Sequence, residues 1–275
     1  MLRALFIAAI FFTMTPVLIS LQWTLDRLRL PGWGFIARNY YRLLCLFLGL
    51  RVRIVGEPAK QGAVLYVSNH VSWADIVVIG SIRPVAFVAK KEVAKWPLVG
   101  ITAKIQRTVF VDRARRHRTA DAVGEIAQRL AGGTSVVLFA EGTSSDGNRV
   151  LPFRSALLGA IERMESQATA GSLLIQPMAI CYTGVHGIPM GRQHRPLAAW
   201  YGDLDFLPHI RALVTRGAMD AVVSYGEPVA VSGEGSDRKA VTRRLEETVR
   251  RLAVATLVGK PTPSPTAGTS PVTSG

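Results

Sequence analysis

The start of the chain is the feature that most constrains its fold, because no charged residue lies between Ala4 and Thr24. About 20 apolar residues are enough for a helix to cross a bilayer, so this run has the length of a membrane helix. Pro16 lies inside it and predicts a kink. A cleaved signal peptide with Arg3 as its charged start is the alternative, but the run is long and has no clear small-residue cleavage site.

A second apolar stretch runs from Trp33 to Leu50 and is interrupted by two arginines. Aromatic side chains, which favour the lipid–water interface, stand at the edges of the two stretches: Trp23, Trp33, Tyr40 and Tyr41. Residues 1–50 are therefore expected to form membrane-anchoring helices, one or two in number. Four arginines flank this anchor on its C-terminal side, while Arg3 stands alone on the other. The positive-inside rule then places the rest of the chain at the membrane, on its cytoplasmic side.

The net charge of +14 is compatible with nucleic acid, an anionic membrane or an acidic substrate as partner. Because the basic residues are spread along the chain and no nucleic-acid-binding module is present, we expect no nucleic acid partner. The two cysteines, Cys45 and Cys181, lie far apart in apolar runs and are expected to be buried and reduced. No Cys/His cluster has zinc spacing, so no metal site is expected.

Beyond the anchor, β-branched runs alternate with amphipathic helical patterns. This alternation predicts an α/β fold, a mostly parallel or mixed sheet covered by helices, over residues 51–258. The expected strands are Arg51–Val55, Val64–Ser68, Val85–Ala89, Thr108–Val111, Ser135–Phe139, Leu173–Ile180 and Ala221–Tyr225, and the expected helices are His117–Leu130, Leu151–Met164 and Ser236–Leu257. Residues 259–275, rich in Pro, Thr, Ser and Gly, predict a disordered tail.

The segment with the clearest chemical content follows the strand Val64–Ser68 and contains His70 and Asp75. On one helix, residues five apart point about 140° away from each other, whereas across a strand-to-helix turn they can meet. A carboxylate that holds one imidazole nitrogen leaves the other free to take a proton from an alcohol. The competing interpretation is structural: Ser72 is a good N-cap, Ser72 with Asp75 fits a capping box, and Val71 with Ile76 fits a hydrophobic staple.

Three further segments carry candidate functional residues. Glu141, Gly142 and Thr143 come directly after an apolar strand, where α/β folds place ligand contacts, although an ordinary polar turn has the same composition. Arg113 ends another strand, where it can clamp a phosphate or carboxylate or simply begin a solvated basic helix. Pro177 lies inside an apolar strand and predicts a sheet edge or the entrance of a pocket.

Taken in order, the motifs His-x4-Asp, Phe-x-x-Arg, Glu-Gly-Thr and Pro-x-Ala-Ile resemble the glycerolipid acyltransferase family, which includes 1-acylglycerol-3-phosphate acyltransferases. The resemblance covers residues 51–180 and extends more loosely to Val231. It implies the glycerolipid acyltransferase fold and an O-acyltransferase that moves a fatty acyl group to the hydroxyl of a lysophospholipid, in the first instance 1-acyl-sn-glycerol-3-phosphate. The donor would be an acyl-CoA or acyl carrier protein thioester, a co-substrate, with no bound cofactor.

The resemblance also implies roles for individual residues. His70 would be the general base and Asp75 its orienting partner. The acceptor head-group site would be formed by Arg113, Glu141, Gly142 and Thr143, with Lys90 or Lys91 adding a positive contact. Pro177 would lie on the acyl-donor side. Backbone N–H groups after Ser72 are candidates to stabilise the developing oxyanion, and no Gly-x-Ser-x-Gly elbow for a covalent intermediate is present.

One departure from the family pattern concerns the acceptor. Members specific for lysophosphatidate often have Arg directly after Glu-Gly-Thr, whereas this chain has Ser144 and Ser145 there, and Arg149 or Arg154 would have to substitute. The run 141–159 and the segment 196–205 resemble lyso-ornithine lipid acyltransferases of bacteria, which is the alternative within the same chemistry. The alternative of another class is a non-catalytic protein that binds anionic membrane lipid through its basic surface.

Overall fold

The computed structural model describes residues 2–28, 30–60, 62–96, 98–112, 116–154, 173–231 and 238–259. The expected helix Leu151–Met164 falls mostly outside these residues, and its first four positions form irregular chain. Arg113 and all but the first residue of the expected tail also fall outside them.

After two N-terminal helices, the chain contains single strands and pairs of strands separated by helices. The helices are α1 (Leu2–Arg27), α2 (Trp33–Leu48), α3 (Ala74–Ile82), α4 (Val99–Ile105), α5 (Arg116–Ala131), α6 (Phe206–Arg216) and α7 (Arg238–Val258). The strands are β1 (Leu50–Val55), β2 (Val64–Ser68), β3 (Ala86–Lys90), β4 (Val109–Val111), β5 (Val136–Phe139), β6 (Leu173–Val185), β7 (Ile188–Pro189), β8 (Met219–Tyr225) and β9 (Val229–Val231). Each of the seven expected strands is present.

These strands form one mixed sheet in the order β1-β8-β6-β2-β5-β3-β4, with β7 and β9 also paired to β6. The five strands from β6 to β4 run parallel, while β6 and β8 are antiparallel. The register places Ser68 beside Phe139 on β5 and beside Met178 on β6. The carboxyl ends of β2, β5 and β3 therefore meet at one edge of the sheet. The predicted α/β class with a mostly parallel or mixed sheet is confirmed.

Each face of the sheet carries its own apolar core, because successive side chains on a strand point to opposite faces. On β2, Val64 and Tyr66 pack with α2, α3 and α6, whereas Leu65 and Val67 pack with α5 and α7. Both cysteines are free and buried, as expected.

The two N-terminal helices have different environments. Leu5–Leu25 is long and apolar enough to cross a membrane, and 11% of its most hydrophobic window is buried in the structure. Helix α2, in contrast, buries six residues against the body: Ile36, Ala37, Tyr40, Tyr41, Cys45 and Leu48. Its partner is α3, where Gly80 leaves room for the Tyr41 ring. One face of α2 therefore packs on the α/β body, while Phe35 and Leu46 of the same helix are exposed.

The edge-strand interpretation of Pro177 is wrong, because β6 lies inside the sheet between β2 and β8. The proline is tolerated for a local reason. Its carbonyl accepts a hydrogen bond from the N–H of Gly226, so its nitrogen faces the same side of the strand. On that side of β6, the pairing with β9 ends at Ile175 and the pairing with β8 begins at Met178. Pro177 lies in the gap between these two pairings, where no N–H is needed.

Candidate active site

The candidate catalytic residues lie where β2 and β5 end. Backbone hydrogen bonds extend the pairing of these strands by one step, from Ala140 N–H to the Ser68 carbonyl at 3.0 Å. The chain after β2 contains His70, and the chain after β5 contains Glu141. Because both turns leave neighbouring strands of a parallel sheet in the same direction, they meet at one edge, as in other α/β enzymes.

His70 and Asp75 are in direct contact across the turn between β2 and α3. The imidazole Nδ1 lies 2.8 Å from Asp75 Oδ2, and the side chains are 19% and 0% exposed respectively. The buried carboxylate requires a donor, so Nδ1 carries the hydrogen and Nε2 is the nitrogen left to accept a proton. The pair therefore has the arrangement of a general base and its orienting carboxylate.

The turn itself is built around the Asp75 carboxylate. Oδ2 also accepts the N–H groups of Val71 at 2.7 Å and Ser72 at 3.0 Å. The hydroxyl of Ser72 has no hydrogen-bond partner among the described residues, and α3 begins at Ala74. The expected N-cap at Ser72 is therefore wrong: Asp75 supplies the carboxylate half of a capping box, and no serine oxygen supplies the other half.

The backbone donors near this turn are mostly occupied. The N–H groups of Val71 and Ser72 bind Asp75, while those of Asp75 and Ile76 bind the carbonyls of Ser72 and Trp73. The backbone N–H groups of Trp73 and Ala74 therefore remain as the candidates, after Ser72, to stabilise an oxyanion.

The orientation of His70 is fixed from three directions. Its ring stacks on Phe139, with the ring centroids 4.1 Å apart and the planes 18° from parallel. The backbone N–H of His70 donates to Glu141 Oε2 at 3.1 Å, and the backbone carbonyl of His70 accepts the N–H of Ser145 at 2.8 Å. The imidazole thus has little freedom to turn away from Asp75, which is what a positioned base requires.

Glu141 connects two loops. Besides the His70 N–H, its carboxylate accepts the N–H of Leu151 through Oε1 at 2.8 Å, and the residue is 2% exposed. Burial raises the pKa of this carboxyl to about 8, against the opposing effect of the two backbone donors. The side chain that the sequence assigns to the head-group site is thus directed into the protein, where it holds the His70 turn in place.

Gly142 and Thr143 complete the turn after β5. Gly142 has a φ of 70°, and a Cβ there would lie 2.7 Å from Cδ of Arg154, so the position requires glycine. The Arg154 side chain lies across this turn and donates from Nε to the Glu141 carbonyl at 3.3 Å. Thr143 and Arg154 are exposed beside the His70 turn and are available to a ligand.

The remaining predicted site residues lie farther along the sheet. Lys90 is exposed at the end of β3, the strand next to β5, and Lys91 Nζ lies 3.9 Å from the carboxylate of Asp112. Pro177 is buried and pairs with Val67 on β2, and Val67 is three residues before His70. Arg113 lies outside the described residues. The roles of Lys90, Pro177 and Arg113 stay predictions.

Three residues that the sequence did not single out as functional take part in the site. Tyr182 Oη donates to Asp75 Oδ1 at 2.9 Å. Asn69 binds the backbone of Ile180 on β6 through both atoms of its amide. The backbone N–H of Trp200 donates to the Val71 carbonyl at 2.9 Å, and the backbone carbonyl of Trp200 accepts the Ser144 hydroxyl. Tyr182 lies far from His70 in the sequence, and Asn69 belongs to no motif, so pattern alone could not find either of them.

Comparisons with known proteins agree with this geometry. Residues 51–181 match the family model described as Acyltransferase. The lyso-ornithine lipid O-acyltransferase of Brucella abortus is 44% identical over 263 residues, covering 95% of this chain and 98% of that protein. The lyso-ornithine lipid O-acyltransferase of Rhizobium meliloti is 42% identical over 245 residues, covering 89% and 82%.

Among solved structures, the 1-acyl-sn-glycerophosphate acyltransferase PlsC from Thermotoga maritima has the same fold, with a TM-score of 0.66, 23% identity and 93% coverage of both chains. In this fold, a histidine held by a buried carboxylate at the end of a parallel strand indicates the class of enzymes that activate a hydroxyl group. Within that class, the chain belongs to the acyltransferase family, and it is an acyltransferase of lipid biosynthesis.

Proposed function

We propose that this chain is a lyso-ornithine lipid O-acyltransferase, which moves a fatty acyl group from a thioester to the free hydroxyl of a lyso-ornithine lipid. The observation that carries the chemistry is the 2.8 Å contact between His70 Nδ1 and the buried Asp75 carboxylate. The observation that favours this acceptor over 1-acyl-sn-glycerol-3-phosphate is the similarity, above 40% identity, to two proteins of that name.

The residue after Glu-Gly-Thr supports the same choice of acceptor. Ser144 stands where many lysophosphatidate enzymes have Arg, and its hydroxyl donates to the backbone carbonyl of Trp200. A phosphate monoester carries close to two negative charges and is best held by bidentate arginine. Ornithine carries a carboxylate and an amino group, so its lipid presents no such doubly charged head.

In the proposed reaction, His70 Nε2 takes the proton of the acceptor hydroxyl as the hydroxyl oxygen attacks the thioester carbonyl. Asp75 stabilises the imidazolium that forms. The tetrahedral intermediate collapses, the carbon–sulfur bond breaks, and the thiolate leaves with the proton that His70 returns. The thiol belongs to coenzyme A or acyl carrier protein, and no covalent acyl-enzyme is needed.

The acceptor is tested by competition. We expect the purified protein in detergent, supplied with an acyl thioester and equal amounts of both lysolipids, to give mainly ornithine lipid, with products identified by mass spectrometry. Phosphatidic acid as the main product would reject the proposed acceptor and retain the acyltransferase chemistry.

The base is tested by substitution. His70→Ala should abolish transfer to either acceptor without unfolding the protein, and Asp75→Asn should lower kcat by about a hundredfold or more while KM changes little. The exposed His186 in the turn after β6 provides a control, because His186→Asn should leave the rate unchanged. Full activity in folded His70→Ala would exclude His70 as the base, and an unchanged rate in Asp75→Asn would leave Asp75 a helix-capping role alone.

A further inference from the structure

The Asp75 carboxylate receives four hydrogen bonds, divided unequally between its two oxygens. Oδ2 accepts three, from His70 Nδ1 and from the N–H groups of Val71 and Ser72. Oδ1 accepts one, from the phenol of Tyr182 at 2.9 Å. Asp75 is 0% and Tyr182 is 2% exposed, so no bulk water replaces the phenol if it is removed.

Two features of β6 bring Tyr182 to this position. Asn69 extends the parallel pairing of β2 and β6 beyond Ser68, because its amide donates to the Ile180 carbonyl and accepts the Ile180 N–H, both at 2.9 Å. The register of β6 against β8 then shifts between Tyr182 and Gly184. Such irregularities re-aim side chains near active sites. The strand is thus fixed to the catalytic turn two residues before Tyr182.

We propose that Tyr182 is a positioning residue for the acyl transfer, and that its hydroxyl fixes the orientation and charge of Asp75, which in turn controls His70. The inference rests on the proposed roles of His70 and Asp75. It extends them to a row of three hydrogen-bonded side chains, His70, Asp75 and Tyr182. Tyr182 does not touch the substrate; it acts through the carboxylate.

The hydroxyl has two physical effects. It prevents rotation of the carboxylate about its Cβ–Cγ bond, so that Oδ2 stays in line with His70 Nδ1. It also draws negative charge toward Oδ1, which weakens the attraction between the carboxylate and the imidazolium form of His70. Removing it therefore loosens the geometry and, at the same time, makes protonated His70 more favourable.

Other titratable groups face His70, Asp75 and Tyr182 and would contribute to any pH effect. Glu141 approaches from the end of β5, Cys181 from β6 and Cys45 from α2. Burial raises the pKa of Cys181 to about 12, and burial likewise raises the pKa of Cys45, so neither thiol ionises in the range of an activity measurement. Glu141 remains, and it keeps the same hydrogen-bond partners, His70 and Leu151, in Tyr182→Phe and Tyr225→Phe, the variants whose pH profiles are compared below.

The test is the pH profile of kcat/KM for Tyr182→Phe, measured with whichever lysolipid the wild-type enzyme accepts. We expect kcat to fall about tenfold and the acid limb to move to higher pH by about half a unit. Tyr225→Phe is the matched control. Tyr225 is buried in the neighbouring strand β8, and its hydroxyl has no hydrogen-bond partner within the described chain, so we expect its rate and profile to stay at wild-type values.

A double-substitution experiment separates this role from a general effect on folding. If Tyr182 acts through Asp75, adding Tyr182→Phe to Asp75→Asn should lower the residual rate less than about twofold. An equal loss in both backgrounds, or an unmoved acid limb in folded Tyr182→Phe, would overturn the proposal. If Tyr182→Phe does not fold, 3-fluorotyrosine at position 182 retains the hydroxyl as a stronger donor, and the acid limb should move to lower pH; no movement would also overturn it.

These outcomes are distinct from failure of the proposed function. Full activity of His70→Ala would remove the base and the row of three side chains together. An unchanged Tyr182→Phe enzyme beside an inactive His70→Ala enzyme would retain the function and reject the role of Tyr182.

Discussion

At the scale of single residues, Glu141 illustrates how a motif residue acquires its role from its surroundings. Its carboxylate accepts one N–H on each oxygen, from His70 and from Leu151, and burial sets its pKa well above the ordinary range for glutamate. The residue therefore acts on His70, the proposed base, through the backbone of His70. Its assignment to the acceptor head-group site stays a prediction.

Glu141→Gln tests this role. An amide presents one oxygen and one NH2 group, so one of the two backbone N–H groups would face a donor and lose its hydrogen bond. We expect the free energy of unfolding at pH 5, where the folded wild type still holds its proton, to fall by about 1–3 kcal/mol, as measured by denaturant titration. We expect kcat to fall with it, as measured by transfer assays. Glu247→Gln, at an exposed position on α7, should change neither; full activity and stability of Glu141→Gln would exclude the role.

The raised pKa of Glu141 also predicts a pH dependence of stability. With a folded-state pKa of about 8 against 4.5 for the ordinary carboxyl, the folded protein holds a proton that the unfolded chain releases. Stability is therefore fully present below pH 4.5 and is lost as the pH rises through 8, by at most about 1.4 kcal/mol per pH unit. The difference between wild type and Glu141→Gln, followed by denaturation from pH 5 to 8, should show this slope; parallel curves would contradict it.

At the scale of elements, the packing of α2 on α3 depends on a missing side chain. A Cβ on Gly80 would lie 2.3 Å from Cδ2 of Tyr41, which is buried and makes an edge contact with Phe87. Phe87 stacks on Phe139, which in turn stacks on His70. The contact between the two helices is thus linked through the rings of Tyr41, Phe87 and Phe139 to His70, the proposed base.

Gly80→Ala should therefore destabilise the protein by about 1–3 kcal/mol through overpacking and lower its activity. Gly124→Ala is the matched control. It lies in helix α5 with nothing within 4 Å of the added Cβ, so the same change should stabilise the protein by about 0.5–1 kcal/mol. Thermal unfolding of both variants in the same detergent measures the contrast, and equal shifts would contradict this account of the α2–α3 contact.

At the scale of the whole molecule, α1 combines contacts to the body with exposed apolar surface. Part of the helix contacts the body: Gln22 is 2% exposed and donates to the Ile105 carbonyl at 3.0 Å, and Thr15 is hydrogen-bonded to Tyr40. Large apolar side chains elsewhere on α1 are exposed, among them Phe6, Phe12 and Val17. Exposed apolar surface of this size marks a membrane or partner interface.

We expect the full chain to remain with membranes after washing in high salt, because apolar burial does not weaken with ionic strength. A protein held by its charge of +14 alone would be released. Phe6→Lys combined with Phe12→Lys should shift the protein to the salt-soluble fraction, whereas Lys at the similarly exposed Ile188, distant from α1 in sequence, should not. Release of the wild type by salt would show that attachment is electrostatic.

The sequence by itself determined the alternation of strands and helices, the placement of His70 and Asp75 on either side of a strand-to-helix turn, and the family. These features rest on local periodicity and on short motifs, which are written in consecutive residues. The sequence did not determine that one face of α2, within the apolar stretch 33–50, packs on the α/β body, because burial in protein and burial in lipid select the same side chains.

The tertiary structure alone decided which groups surround His70 and Asp75. Tyr182 is 107 positions from Asp75, and Ile180 is 111 positions from Asn69, so no window of sequence contains either contact. Pro177 is compatible with an interior strand because two different neighbours leave a gap beside it, a property of the sheet and not of β6. Hydrogen bonding in a buried site depends on which chain segments meet, and that is fixed by the packing of the whole molecule.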